Sequence, residues 1–179
     1  MLTEKQFLFL REVTLQLHHA VNAIDTFKSL QSQQARPLWL FKALDEFTDH
    51  AARVATIFWP VKDKYQDRGS ELRAVVGLAD DNPLRSKLLR NRLQHFDERL
   101  DDWLDKPQHE AHPGELCIDC KVTFNGKRIY GVREFDTQDM TFVFQGERFP
   151  IAPVEAAVRS LIEKIEGLPP HPLGILKLA

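Results

Sequence analysis

TEKQFLFLREVTLQLHHAVNAIDTFKSLQSQQARP, residues 3–37, is the stretch whose reading decides the fold class of this chain. It contains no glycine, and its only proline is the last residue. Leu10, Val13, Leu17, Val21, Ile24 and Phe27 recur at steps of three and four, which puts apolar side chains on one face of an α-helix. Thr3 and Gln6 have the form of a capping box, each side chain satisfying a backbone N–H that the first turn leaves without a partner. Arg36-Pro37 ends the helix, because the residue before a proline avoids the helical region. The spacing predicts one long helix with a single apolar face that must be covered.

The following segments supply the cover. Leu40, Leu44, Phe47, Ala51, Val54 and Phe58 mark a second helix that stops at Trp59-Pro60. The charged run from Val61 to Arg68 reads as a loop, and Gly69-Ser70 as the cap of a short third helix carrying Leu72, Val75, Val76 and Ala79. Asn82-Pro83 suits the start of a fourth, with a stripe of Leu89, Leu93, Phe96, Leu100 and Trp103 ending near Pro107. Residues 1–108 are therefore expected to be an antiparallel four-helix bundle in a mainly α protein.

Residues 109–179 change character. Leu116, Ile118, Cys120, Val122 and Phe124 alternate with Cys117, Asp119, Lys121 and Thr123, the period of a half-buried strand. Asn125-Gly126 is a preferred two-residue hairpin turn. Strands over 128–135, 140–145 and 148–151 complete a small antiparallel meander, with turns at Asp136-Thr137 and Gln145-Gly146. A last helix from Pro153, with Val154, Val158, Leu161 and Ile165, ends at Gly167 before a proline-rich tail that lies on the surface or moves freely. This half is expected to pack on the bundle as one globular unit.

Composition excludes several classes. The longest apolar runs are too short to span a bilayer, and Met1–Gln6 lacks the basic-then-apolar order of a secretory signal. Two cysteines make no disulfide framework, so a cytoplasmic location is expected. A net charge of -2 argues against a surface that coats nucleic acid, and any such contact must be local. There is no glycine-rich phosphate loop, no Gly-x-Ser-x-Gly and no His-Glu-x-x-His, so nucleotide hydrolysis, serine-hydrolase and zinc-protease chemistry lack support.

The chemistry concentrates in Arg90-Asn91-Arg92-Leu93-Gln94-His95. Arginine holds a phosphate as a two-pronged fork, and histidine exchanges a proton near neutrality. Together they are the minimum for cleaving a phosphodiester without a metal. On an unbroken helix Arg90 and His95 point about 140° apart, whereas Asn91 and His95 share a face, so the amide can orient the imidazole. Two copies meeting across a two-fold axis would bring both Arg90 and His95 to one place. Arg85, Lys87, Arg90 and Arg92 precede Asp97, Glu98, Asp101, Asp102 and Asp105, an order opposed to the helix dipole. Laid antiparallel on its own copy, the basic half of this helix faces the acidic half of the other. The charges can equally pair within the bundle or face solvent.

Arg90-Asn91-x3-His95 on a helical bundle resembles the HEPN superfamily, with the likeness covering about the first 105 residues. The resemblance implies a homodimer with Arg90 and His95 in a shared cleft, and metal-independent endoribonuclease activity of toxin or defence type. In it His95 moves the proton, Arg90 holds the phosphate and Asn91 orients His95. Partners on this view are a second copy, RNA and an antitoxin-like protein, with no cofactor and no membrane. One branch of the family carries a tyrosine two positions after the histidine, where an antitoxin modifies it. Asp97 stands there, which puts that mode of silencing in doubt. The alternative, from a different class, is a non-catalytic interaction protein that docks a partner on its meander or tail.

Other constellations carry less. His109, His112, Cys117 and Cys120 have the spacing of a zinc site. A regular strand would send Cys117 and Cys120 to opposite faces, and no glycine lies between them to make a knuckle, so no zinc is expected. His18, His19 and His50 are at helical positions that suit structural or exposed roles. Asp45, Glu46, Asp49 and His50 form a polar face able to approach the motif, and Trp39, Trp59 and Trp103 are expected in the core.

Overall fold

The capping box at Thr3 forms in full: Gln6 N donates to Thr3 Oγ1 at 3.2 Å and Thr3 N donates to Gln6 Oε1 at 3.0 Å. It opens α1 (Glu4–Ser32) in a computed structural model that describes residues 2–86, 96–105, 114–119, 123–124, 126–128 and 131–176. The expected site residues Arg90, Asn91 and His95, and the spacing residues His109, His112 and Cys120, lie outside the described residues. The other elements are α2 (Pro37–Phe58), α3 (Gln66–Val76), α4 (Phe96–Leu104), β1 (Gly114–Ile118), β2 (Thr123–Phe124), β3 (Lys127–Arg128), β4 (Gly131–Asp136), β5 (Thr141–Phe144), β6 (Glu147–Pro150) and α5 (Ile151–Glu166). Among the described residues no helix is long and apolar enough to cross a membrane.

The connection from Gln33 to Arg36 is too short to do anything but reverse the chain, so α1 and α2 pack antiparallel. Pro37 takes the first turn of α2, where its missing N–H costs nothing. Leu10, Val13, Leu17 and Ile24 of α1 meet Leu44, Phe47, Ala51, Val54 and Phe58 of α2, all fully buried. At about 1.5–3 kcal/mol for each large side chain removed from water, this seam is the largest apolar contribution among the described residues.

Around it the structure departs from the sequence-based expectation in four places. First, α3 begins at Gln66 and is preceded by a 3-10 turn at Asp63–Tyr65, so Gly69-Ser70 lies inside the helix and does not cap it. The reason is the end of α2, whose last carbonyls have no intrahelical donors. Arg68 Nη2 donates to Ile57 O at 3.3 Å, and Arg73 Nη1 donates to Phe58 O, drawing α3 onto that end. Second, Asn82 caps Leu84 N at 3.0 Å as expected, but the turn it opens is a 3-10 turn, Pro83–Arg85, that ends in extended backbone at Ser86. The fourth helix therefore does not start at Pro83, and the helix described in this region is α4. A four-helix bundle is not the observed architecture among the described residues.

Third, the sheet is mixed. Its order is β1-β4-β5-β6, with β4–β5 and β5–β6 antiparallel but β1 parallel to β4. A single alternating strand over 116–124 does not form, because Asp119 leaves β1 in the left-handed region at φ 51°. Its carboxylate accepts from Thr137 N and Thr137 Oγ1, both at 2.7 Å, and an aspartate tolerates that backbone better than most residues. The chain passes through a separate small hairpin, β2–β3, around Gly126 at φ 76° before returning as β4. A return of that length permits the parallel pairing. The Gln145-Gly146 turn has φ of 50° and 79°, which is the mirror-image turn that matches strand twist. Fourth, α5 starts at Ile151, directly after β6, and buries Val154, Val158, Leu161 and Ile165 against α1.

One buried cluster runs through all of this, from Phe7 of α1 to Phe142 of β5, Ile165 of α5 and Leu176 of the tail. Ion pairs link α5 to α1, with Lys28 on Glu155 at 2.6 Å and Arg159 on Asp25. The tail lies back on the first turns of α1, where His171 stacks on Phe7 at 4.6 Å.

Gly69 gives a sharp test of how α3 meets α2. A Cβ there would stand 2.6 Å from both Phe58 O and Pro60 Cδ, one a backbone atom and one a ring atom that cannot swing away. Glycine-to-alanine in an open helix stabilises by up to about 1 kcal/mol. Here Gly69→Ala should instead destabilise by about 1–3 kcal/mol, the usual cost of overpacking, read as a lower urea midpoint with unchanged slope.

Candidate functional site

The helical face of α2 that turns away from α1 carries Leu38, Phe41, Lys42, Asp45, Glu46 and Asp49 at steps of three and four. Across from it stand Leu100 of α4, Leu116 of β1 and Val132 and Arg133 of β4. These described residues line a cleft of about 520 Å³. Its floor is tied by Arg133, whose Nε donates to Asp45 Oδ2 at 3.0 Å while the guanidinium lies 5.1 Å from the Phe144 ring centre. Of the lining residues Leu38 is 60% exposed, and its chain neighbour Trp39 is 50% exposed. Trp39 was expected in the core, and is outside it because it sits in the first turn of α2, off the buried stripe, with Lys42 Nζ 5.8 Å from its ring centre. Trp59 and Trp103 are buried as expected.

The polar face foreseen at Asp45, Glu46, Asp49 and His50 divides. The three carboxylates line the cleft, and His50 turns to α1 instead. There Glu12 Oε1 accepts from Gln16 Nε2 at 2.7 Å, and Gln16 Oε1 lies 2.7 Å from His50 Nδ1. A carboxylate only accepts, so it fixes which end of the Gln16 amide faces His50. The amide oxygen also only accepts, so His50 Nδ1 is the donor and the neutral ring has its lone pair on Nε2. The exposed His19 ring stacks on His50 at 4.9 Å with planes 24° apart. Near-parallel rings send their in-plane lone pairs side by side, not to a common point, so this pair is not arranged to chelate. Among the described residues no group of three or more His, Cys, Asp or Glu is placed to hold a metal ion.

Cys117 corrects two expectations. Strand alternation placed it on the polar side, but it is buried, because β1 pairs in parallel with β4 and ends at Asp119. It is also disulfide-bonded, where the sequence suggested no disulfide framework. The turn at Asp119, not a glycine, is what interrupts the regular strand that the opposite-faces argument assumed.

The chain matches no family model, no curated protein and no solved structure. Its site must be read from its own residues. Leu116, Val132 and Arg133 were missed by sequence reasoning, since nothing local to a short strand says which helix it will face. Leu38 and Lys42, two turns and one turn before Glu46 on the same face, were also missed.

Burial and the neighbouring His19 hold the pKa of His50 below its ordinary value, with Arg53 acting in the same direction and Glu46 against it. The unfolded chain therefore takes up this proton first as pH falls. The contribution is complete above the unfolded value and is lost as pH drops through about 6.5 and below. Urea unfolding should show a steeper loss of stability between about pH 7.5 and pH 5 for the wild type than for His50→Gln. Equal losses would remove His50 from the account.

Proposed function

We propose that the protein is a homodimeric, metal-independent endoribonuclease of HEPN type, in which Arg90 and His95 from two copies act on one phosphodiester. The motif is a property of the sequence, and the observation that best supports its pairing is the character of α4. Trp103 is its buried anchor, while Asp97, Glu98, Asp101, Asp102 and Asp105 lie on the exposed side. An acidic, outward-facing surface directly after the basic segment 85–92 is what an antiparallel contact between two copies requires. In this scheme His95 of one copy takes the proton of the 2′-hydroxyl, whose oxygen bonds to the adjacent phosphorus; the bond from phosphorus to the 5′-oxygen breaks, and that oxygen leaves with a proton from the protonated His95 of the other copy. Arg90 balances the charge that develops on the phosphate oxygens. Asn91 holds the ring of His95.

A second function, as a non-catalytic interaction protein, is favoured by a different observation. The cleft beside α2 mixes acidic residues with apolar ones, the exposed Leu38 among them, which suits a protein segment better than a polyanion.

Incubation of the dimer with structured and unstructured RNA in chelator tests the first function. Cleavage should persist without metal and leave a 2′,3′-cyclic phosphate, and His95→Ala or Arg90→Ala should abolish it with little change in thermal stability. Arg90→Lys should also be poor, since an ammonium cannot replace the two-pronged fork. Intact RNA in every wild-type reaction, or full cleavage by His95→Ala, excludes the nuclease. Light scattering at tens of micromolar should report a dimer, a range in which a standard-size interface persists.

A further inference from the structure

We propose that the outer face of the first turns of α1, centred on Leu8, is a docking surface for a second copy of this chain, laid antiparallel across a two-fold axis. The inference depends neither on nuclease activity nor on the contact through α4, and it uses a different helix.

The face has an apolar centre. Leu8 is 54% exposed, although Phe7 and Leu10 beside it are buried. Lys5, Leu8, Phe9 and Glu12 are among the described residues that line a cleft of about 600 Å³. One exposed leucine says little by itself. The charges around it say more. Glu4, Lys5, Arg11 and Glu12 are all exposed. None has an opposite charge three or four positions along the helix, where side chains meet. None forms an ion pair with a described residue, and Glu12 is engaged only by the neutral amide of Gln16.

Helix geometry puts these charges in register with their own copy. At about 100° per residue, Lys5 and Glu12 lie on one flank of Leu8, about 60° and 40° round from it. Glu4 and Arg11 lie on the other flank, about 40° and 60° round. A two-fold axis at Leu8, perpendicular to α1, keeps each flank on its own side and reverses its order along the helix. Lys5 stands about 4.5 Å before Leu8 along the axis and Glu12 about 6 Å after it. Lys5 of one copy therefore comes level with Glu12 of the other to within about 1.5 Å. Glu4 and Arg11 match in the same way on the opposite flank. Two leucines meet at the centre, ringed by four pairs of opposite charge. With two charges of each sign, the face offers a polyanion no net attraction, which sets RNA and anionic membranes aside. A parallel two-fold would put Lys5 against Glu4 and align the helix dipoles, whereas the antiparallel one opposes them favourably.

Sedimentation equilibrium of the full chain from about 10 to about 500 µM, the range for a contact below standard size, tests this. The average mass of the wild type should rise toward twice its starting value. Lys5→Glu and Glu12→Lys, each alone, put like charges opposite one another and should weaken this step about tenfold or more. Mixed in equal amounts, the two variants restore opposite charges across the axis and should associate as the wild type does. A parallel arrangement would not recover in the mixture. Leu8→Ser should weaken the step about tenfold through lost apolar contact. Arg36→Glu makes the same change of net charge as Lys5→Glu beyond the other end of α1 and should leave the step unchanged. All these positions are exposed, so the variants should fold, and equal urea midpoints will verify that.

Four outcomes overturn the proposal. They are a wild-type mass that stays constant over the range, self-association of Lys5→Glu or Glu12→Lys as strong as that of the wild type, a mixture no stronger than its components, and equal weakening by Arg36→Glu and Lys5→Glu. The readout is the step and not the mass from which it starts. With the α4 contact formed the step runs from dimer to tetramer, and without it from monomer to dimer, so the failure of either contact is recognised separately.

Discussion

The apolar seam between α1 and α2 is the contact on which every other element depends. Each of these helices has one face that must leave water, and the short reversal at Gln33–Arg36 holds the two faces against each other along most of their length. Among the described residues no other pair of elements buries enough apolar surface to make a core alone. β5 is four residues long and buried throughout; its Phe142 tilts against Phe41 of α2, while Phe135 of β4 meets Phe27 of α1 edge-on. The sheet is stable as a lid over the helix pair. α5 follows the same logic on the other flank of α1, and α3 closes the far end by capping the carbonyls of α2.

With one face of α2 committed to α1, its remaining faces acquire different duties. One side brings His50 to the Glu12–Gln16 relay and the His19 ring, a polar arrangement at the edge of the seam whose protonation is disfavoured by burial. The side turned to β4 presents carboxylates to the sheet and takes Arg133 in return. That single ion pair, partly shielded from water, does more than an exposed one could: it fixes the distance between helix and strand and so keeps a cleft open beside them.

The helical stripes were legible from sequence because they are written in near neighbours. Leu10 to Phe27 and Leu40 to Phe58 keep their period, and all but the half-buried Val21 are in the core. The same holds for the capping box at Thr3 and the turn at Gln145-Gly146, whose chemistry is complete within a few residues. The candidate site was legible only in its acidic part. Asp45, Glu46 and Asp49 share a face by helical geometry, but the wall opposite comes from strands nearly ninety positions away, and Arg133 gives no local sign that Asp45 will hold it.

Sequence alone thus determined where the long helices run, which of their faces is apolar, and where charge and the Arg90-Asn91-x3-His95 string are concentrated. Tertiary structure decided the parallel pairing of β1 with β4, the burial of Cys117, the exposure of Trp39, the start of α3 and the cleft itself. The physical reason is one of range. Periodicity and capping are satisfied by hydrogen bonds and side chains within a turn or two of the chain. A strand's partner, a cysteine's burial and a groove's opposite wall depend on which distant surface happens to cover them.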